Sequence, residues 1–276
     1  MVPGFGNIYC LRSPGVLNVM MNMAWNPNTY NKFKAERFLP FFDLTALITL
    51  KEELHVIDLG CGTGELTKKL ADLLPHSKVL GVDSSEEMLA DSRQFQNEDI
   101  HFEKRSIEDQ LERDMQWDLV FSNAAIQWVA NHRSLLPRIV SSVKTGGQLA
   151  IQLPAQQHNV TNVMLAELAE SADFQPIFKN LNRTDNVLDI DDYAQLLFDC
   201  GGTDITVFEK IYPLVLENTN ALYDWVSGTA LLPYLAKLED EDKQRFTEAF
   251  KQRLISRFPK LPVFIPFRRI LMKATF

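Results

Sequence analysis

From Val56 onward an apolar run passes directly into Gly60-Cys61-Gly62-Thr63-Gly64, the densest chemical signal in the chain. Glycines at alternate positions permit a tight turn and leave main chain that side chains would otherwise shield from a ligand. Asp58 stands just before the turn, where a carboxylate orients the loop or meets a cationic ammonium group. Asp83 closes the next apolar run, roughly 20 residues on, where an acid accepts hydrogen bonds from both hydroxyls of a ribose. The two features together describe a seat for a ribose-bearing cofactor. A dinucleotide fingerprint would read GxGxxG, but here Glu65 follows GxGxG and sets an acid where a pyrophosphate needs positive potential. A P-loop fits less well, because there is no GxxxxGK[ST] run and Lys68 and Lys69 lie a turn into the following helix.

Residues suited to holding a small anion lie elsewhere. Arg37, Arg268 and Arg269 carry the planar fork that binds a carboxylate through two parallel hydrogen bonds. Successive strand residues face opposite ways, so at most one of Arg268 and Arg269 meets a given pocket. Trp25, Tyr30, Trp128, Tyr223, Trp225 and Tyr234 supply aromatic faces that attract a cation and exclude water. Asn123 and Gln127 offer amides. Among the histidines only His132 follows such a segment closely, and a loop histidine in solvent is the more frequent reading, so no base is assigned. Cys61 reads as a small side chain packed beside a strand. With Cys10 and Cys200 it shows no CxxC or CxxH spacing, which indicates neither a metal site nor a disulfide framework.

Short apolar runs alternating with helical stretches specify βαβ units and an α/β fold around a mainly parallel sheet. The runs are His55 to Leu59, Lys78 to Asp83, Ile100 to Arg105, Trp117 to Asn123, Gln148 to Leu153, Ile205 to Ile211 and Arg268 to Phe276. Between them, Leu66 to Leu74 predicts one helix, Met88 and Leu89 a second capped by Ser84 or Ser85, and Leu135 to Val143 a third closed by Gly146 and Gly147. Residues 1 to 22 read as an irregular extension without a role. A single domain over 23 to 276 follows, with helical segments at about 25–50 (two short helices broken at Pro40), 155–200 and 217–258 that cover the carboxyl edge of the sheet.

The glycine motif and its surroundings also resemble a known family. Asp58-Leu-Gly-Cys-Gly-Thr-Gly64 resembles motif I of class I methyltransferases, and Gly81-Val-Asp83-Ser84-Ser85-Glu-Glu-Met88 resembles motif II. Trp25-Asn26-Pro27-x-x-Tyr30-x-x-Phe33-x-x-Glu36-Arg37, Phe121-Ser-Asn123-Ala-Ala-Ile-Gln127-Trp128 and Gly228-Thr-Ala-Leu-Leu-Pro-Tyr234-Leu235 are similar to the trans-aconitate methyltransferase branch. The resemblance implies a Rossmann-like seven-stranded sheet with its last strand antiparallel, S-adenosylmethionine as cofactor and a small polycarboxylic acid as acceptor. It places cofactor contacts at Asp58, Gly60, Cys61, Gly62 and Gly64, at Asp83, Ser84 and Met88, and at Ser106, Ile107 and Asn123. Ser106 stands where the family usually carries an Asp beside the adenine. Acceptor contacts fall on Trp25, Tyr30, Arg37, Gln127, Trp128, Tyr234 and Arg268.

Composition bounds what remains. The 276 residues are 46% hydrophobic and 23% charged, which suits a folded globular chain. A formal net charge of −8 opposes binding to nucleic acid or anionic membranes, while a small anion can still be held by local arginines. Gly4, Gly6, Pro14 and Gly15 break any signal-like core, so a reduced, cytoplasmic chain is expected. Nothing in the sequence specifies an oligomeric state. The expected reaction is esterification of a carboxylate by alignment alone, with no catalytic base. The alternatives are another small carboxylate, such as a malonyl-thioester or fatty acid, and a non-catalytic S-adenosylmethionine-binding module.

Overall fold

The computed structural model describes residues 34–179 and 186–276, the side chains of 34–37 excepted. The irregular extension assigned to residues 1 to 22 lies outside them. Helix α1 (Lys34–Thr45) precedes β1 (His55–Leu59), α2 (Glu65–Asp72), β2 (Lys78–Asp83), α3 (Glu86–Ser92) and β3 (Ile100–Lys104). Then come α4 (Ile107–Gln110), β4 (Trp117–Asn123), α5 (His132–Ser141) and β5 (Val143–Pro154). The rest is α6 (Val160–Ala169), α7 (Gln175–Phe178), α8 (Ile190–Asp199), β6 (Thr203–Leu216), α9 (Thr219–Ser227), α10 (Leu232–Leu235), α11 (Asp240–Arg257) and β7 (Val263–Thr275).

Among the described residues the strands form one seven-stranded sheet in the order β3-β2-β1-β4-β5-β7-β6. All neighbours are parallel except β7, which runs antiparallel to both β5 and β6. The pattern follows from burial: β1 and β4 are covered on both faces and read as mainly apolar runs. On one face, Phe41 and Leu44 of α1 and Leu70 of α2 pack on Val56, Leu119, Phe121 and Ala150. On the other, Leu135, Leu136 and Ile139 of α5 with Tyr193 and Leu197 of α8 pack on Ile57, Val120, Ile151 and Ile270.

The far halves of β6 and β7 leave this body and carry a second apolar core. Leu214, Leu216, Val263 and Ile265 meet Leu165 and Leu168 of α6, Leu222 and Trp225 of α9 and Phe246, Phe250 and Leu254 of α11. Of the segments expected to cover the carboxyl edge, α1 and α8 instead lie on the faces of the sheet.

Two local expectations need correction. Helix α1 continues through Pro40 without a break there. An internal proline costs about 3 kcal/mol, and complete burial of Phe41 and Leu44, which follow it, is of the size to offset it. Gly146 and Gly147 do not close α5. That helix ends at Ser141 and the glycines lie within β5, where the Gly146 N–H donates to the Phe276 carbonyl.

Candidate active site

Strand β1 delivers Asp58 and the glycine turn to the centre of the sheet's carboxyl edge. Gly60, Gly62 and Gly64 have φ of 80°, 56° and 74°, a region that L-residues with side chains rarely adopt. The reason differs between them. A Cβ on Gly60 would stand 2.1 Å from Cβ of Ala125, so this glycine lets the turn seat against the segment after β4. At Gly62 the nearest atom is the flexible methyl of Met88, 3.1 Å away. Gly64 makes room for Phe102 and Ser92. All three glycines thus clear protein neighbours, and at Gly62 that neighbour is only the end of a flexible side chain.

Two carboxylates hold the turn. Asp58 is 3% exposed and accepts from the Thr67 hydroxyl at 2.6 Å, tying β1 to α2. Burial pushes its pKa up to about 7. Asp83 accepts from the Gly62 N–H and the Ser85 N–H, each at 2.9 Å, so it orders the turn before any ligand arrives. Each of its oxygens retains a further acceptor site. Burial raises its pKa, and the backbone donors oppose that shift. Ser85, not Ser84, caps α3 by accepting from the Met88 N–H.

The flanking positions are less uniform. Cys61 is buried beside Gly81, and burial drives its thiol well above its ordinary pKa, which removes it as a nucleophile. The Ser106 hydroxyl caps α4 by accepting from the Asp109 N–H, and Ile107 is buried at the start of that helix. His132 is not a solvent histidine. It is 1% exposed, with Nε2 on the Ile126 carbonyl and Nδ1 on the Tyr193 hydroxyl, and burial holds its pKa below the ordinary value. A neutral ring bolted between α5 and α8 serves the fold.

After β4 the chain turns sharply. Ala124 sits at φ 55°, held by its N–H on the Gln152 carbonyl and by its own carbonyl, which accepts from Gln127 Nε2 at 2.7 Å. Gln127 is buried and its Oε1 has no hydrogen-bond partner among the described residues, nor has Oδ1 of Asn123. Both are acceptors at the strand end beside the glycine turn. Trp128, 40% exposed, follows.

Across the same edge, a small cleft is lined by Leu39, Tyr212, Pro213, Leu214, Trp225, Phe267 and Arg269. Register puts Arg269 opposite Pro154 at the carboxyl end of β5. Its guanidinium lies 5.0 Å from the Phe267 ring centre and donates to Gln152 Oε1 at 3.3 Å. The neighbouring Arg268 points to the opposite face and is ion-paired with Glu209 at 2.6 Å. Of the two, Arg269 meets the cleft. Tyr234 packs inside the cover, stacked on Phe246 and edge-on to Phe178. Arg37 lies in α1, and its side chain, like Trp25 and Tyr30, falls outside the described residues. The site residues that sequence reasoning missed are Gln152 and Tyr212. The available signal was a glutamine interrupting the apolar run from Leu149 to Leu153.

A methyltransferase-domain family profile matches residues 50–198. Trans-aconitate 2-methyltransferase from Deinococcus radiodurans is 39% identical over 92% of this chain and 98% of its own length. The protein of that name from Variovorax paradoxus is 33% identical over 86% and 91%. This chain belongs to the trans-aconitate 2-methyltransferase family. It is an S-adenosylmethionine-dependent methyltransferase. Solved structures share the fold at low identity. A cyclopropane-fatty-acyl-phospholipid synthase-like protein from Lactobacillus casei matches with a TM-score of 0.58 at 15% identity, over 95% of this chain and 98% of that one. Phosphoethanolamine N-methyltransferase 2 from Haemonchus contortus gives 0.56 at 16%, over 95% and 61%. Among the described residues no helix is long and apolar enough to cross a membrane.

The residues present fit the cofactor. Gly62 is half-buried with only the flexible Met88 methyl against it, Asp83 keeps acceptor sites for hydroxyls, and the unpartnered acceptors of Asn123 and Gln127 suit an ammonium group.

Proposed function

We propose that the enzyme esterifies a carboxylate of a small polycarboxylic acid of the trans-aconitate kind. The observation that carries this reading is Arg269, buried in an aromatic cleft at the same sheet edge as the glycine turn. A guanidinium between Phe267, Tyr212 and Trp225 favours an anion and disfavours a long alkyl chain, which sets the fatty-acid alternative behind. The names of the relatives support the same acceptor.

S-adenosylmethionine, when bound, supplies an electrophilic methyl group on a sulfonium that is its own leaving group. The chain then has to align and enclose. Gly62 and Asp83 would hold the nucleoside, Met88 and Ile107 would flank it, and Asn123 and Gln127 would face the amino-acid part. Asp58 keeps the turn in place through Thr67. Arg269 and Trp128 would steer the acceptor, together with Arg37, Trp25 and Tyr30. An acceptor carboxylate with an ordinary pKa of about 4 is already ionised at neutral pH and needs no general base. The acidic overall charge, with Cys61 and Cys200 unbridged, supports a cytoplasmic enzyme of small molecules without a nucleic-acid partner.

The test is to incubate the chain with S-adenosylmethionine and trans-aconitate, a malonyl thioester or a long-chain fatty acid, and to follow methyl esters by mass spectrometry. The monomethyl ester of the tricarboxylate is expected. Turnover confined to the fatty acid would overturn the acceptor, and cofactor binding with no product from any acid would favour a binding module.

A further inference from the structure

Strand β5 carries two buried glutamines, Gln148 and Gln152, four residues apart and so on one face of the sheet. Gln148 is fully used, since its Oε1 accepts from the Thr49 N–H at 2.7 Å and its Nε2 donates to the Thr49 carbonyl at 3.0 Å. Gln152 is 0% exposed and half used. The bond from Arg269 to its Oε1 fixes which way the amide points, and its Nε2 has no hydrogen-bond partner among the described residues. An amide donor buried without an acceptor is destabilising, so its presence in an apolar strand asks for an acceptor beyond the described residues, which a bound carboxylate would supply.

Register says where that acceptor arrives. Gln152 pairs with Asn123 on β4 and with Leu271 on β7, two residues along from Arg269. It therefore stands between the strand end that faces the glycine turn and the residue that lines the cleft. An unpaired amide donor joined to a guanidinium is a carboxylate-binding pair. A carboxylate gripped by two such donors has its lone pairs engaged and is a poor nucleophile, so this is not the group that receives the methyl.

We propose that Gln152 and Arg269 together hold a second, non-reacting carboxylate of the acceptor and thereby select di- and tricarboxylic acids over monocarboxylic ones. The proposal rests on the acceptor reading above and adds to it the residue that discriminates.

The test compares the wild-type chain with Gln152→Leu, which keeps the bulk and removes the donor, and with Gln152→Glu, which replaces the donor by an anion. Kinetics with trans-aconitate and with crotonate, and calorimetry with S-adenosylhomocysteine, are measured on each. For Gln152→Leu the expected result is a KM for trans-aconitate raised about tenfold or more, kcat within about twofold and an unchanged cofactor-product affinity. The preference for trans-aconitate over crotonate should fall accordingly, and Gln152→Glu should lose more. An unchanged KM in both variants, or a loss of S-adenosylhomocysteine affinity in step with KM, overturns the proposal. A wild-type chain that methylates no polycarboxylate refutes the acceptor reading and this proposal with it, whereas an active wild type with indifferent variants refutes this proposal alone.

Discussion

Around the glycine turn the buried carboxylates are engaged from within, Asp58 by Thr67 and Asp83 by the N–H groups of Gly62 and Ser85. Across the same edge, at the ends of β4 and β5, Asn123, Gln127 and Gln152 each keep a buried polar atom without a partner among the described residues. The first region is built to be rigid before its ligand arrives. The second leaves contacts to be completed by what binds. Preorganised contacts lower the entropic cost of seating the cofactor's nucleoside, and incomplete ones penalise a ligand that cannot supply the missing partner, an ammonium at Asn123 and Gln127 or an acceptor's carboxylate at Gln152.

The sharpest way to break the comparison is at Gly60. Gly60→Val places a side chain 2.1 Å from Ala125 at φ 80° and should cost about 4 kcal/mol or more, read by urea unfolding, with cofactor binding lost. A stable, binding variant would show that the turn is not rigid. Asp58 comes next. Its pKa is raised to about 7 in the folded chain, so its contribution to stability is fully present below the unfolded value near 3.8 and is lost as pH rises through about 7. The Asn variant, which can still accept from Thr67, should escape that loss and be more stable than wild type at pH 8 by about 2–4 kcal/mol. Parallel stability curves for the two proteins from pH 5 to 8 would remove Asp58 as their cause.

Asp83→Ala should weaken S-adenosylmethionine binding by about 1–3 kcal/mol in calorimetry while leaving the acceptor's KM nearly unchanged. Equal losses on both would mean that the two regions are not separable. The smallest effect is expected at Arg268, where the ion pair with Glu209 joins a half-exposed guanidinium to a more buried partner. Arg268→Gln should cost about 0–1 kcal/mol of stability and leave acceptor kinetics unaltered. A raised KM there would place the acceptor on the other face of the sheet.

The same contrast explains what could be read from the chain alone. Gly60, Gly62, Gly64 and Asp83 declare themselves because one strand-turn-helix unit and the next strand must supply them at short, fixed spacing. The existence of the seven strands was legible for a similar reason, as β1 and β4 announce their burial by mainly apolar runs, whereas β5, β6 and β7 extend well past the apolar stretches that marked them. Gln152, Tyr212, Trp225 and Arg269 meet only because β7 runs back between β5 and β6. No spacing records that meeting. His132 illustrates the converse: a polar residue in a turn looks solvated until Tyr193, far along the chain, closes over it. Tyr234 belongs to an aromatic motif whose position gave no warning that Phe178 and Phe246 would enclose it.

The placement of β7 carries one more consequence. Its two adjacent arginines serve opposite surfaces, one tied to Glu209 and the other lining the cleft. Slipping the strand by a single residue would exchange every inward and outward side chain, burying the first cation against apolar neighbours and stranding the second in water. A one-residue deletion within β7 should thus be far more damaging than either point substitution, because the pairing on both its flanks, and not the arginine alone, decides which way the charge looks.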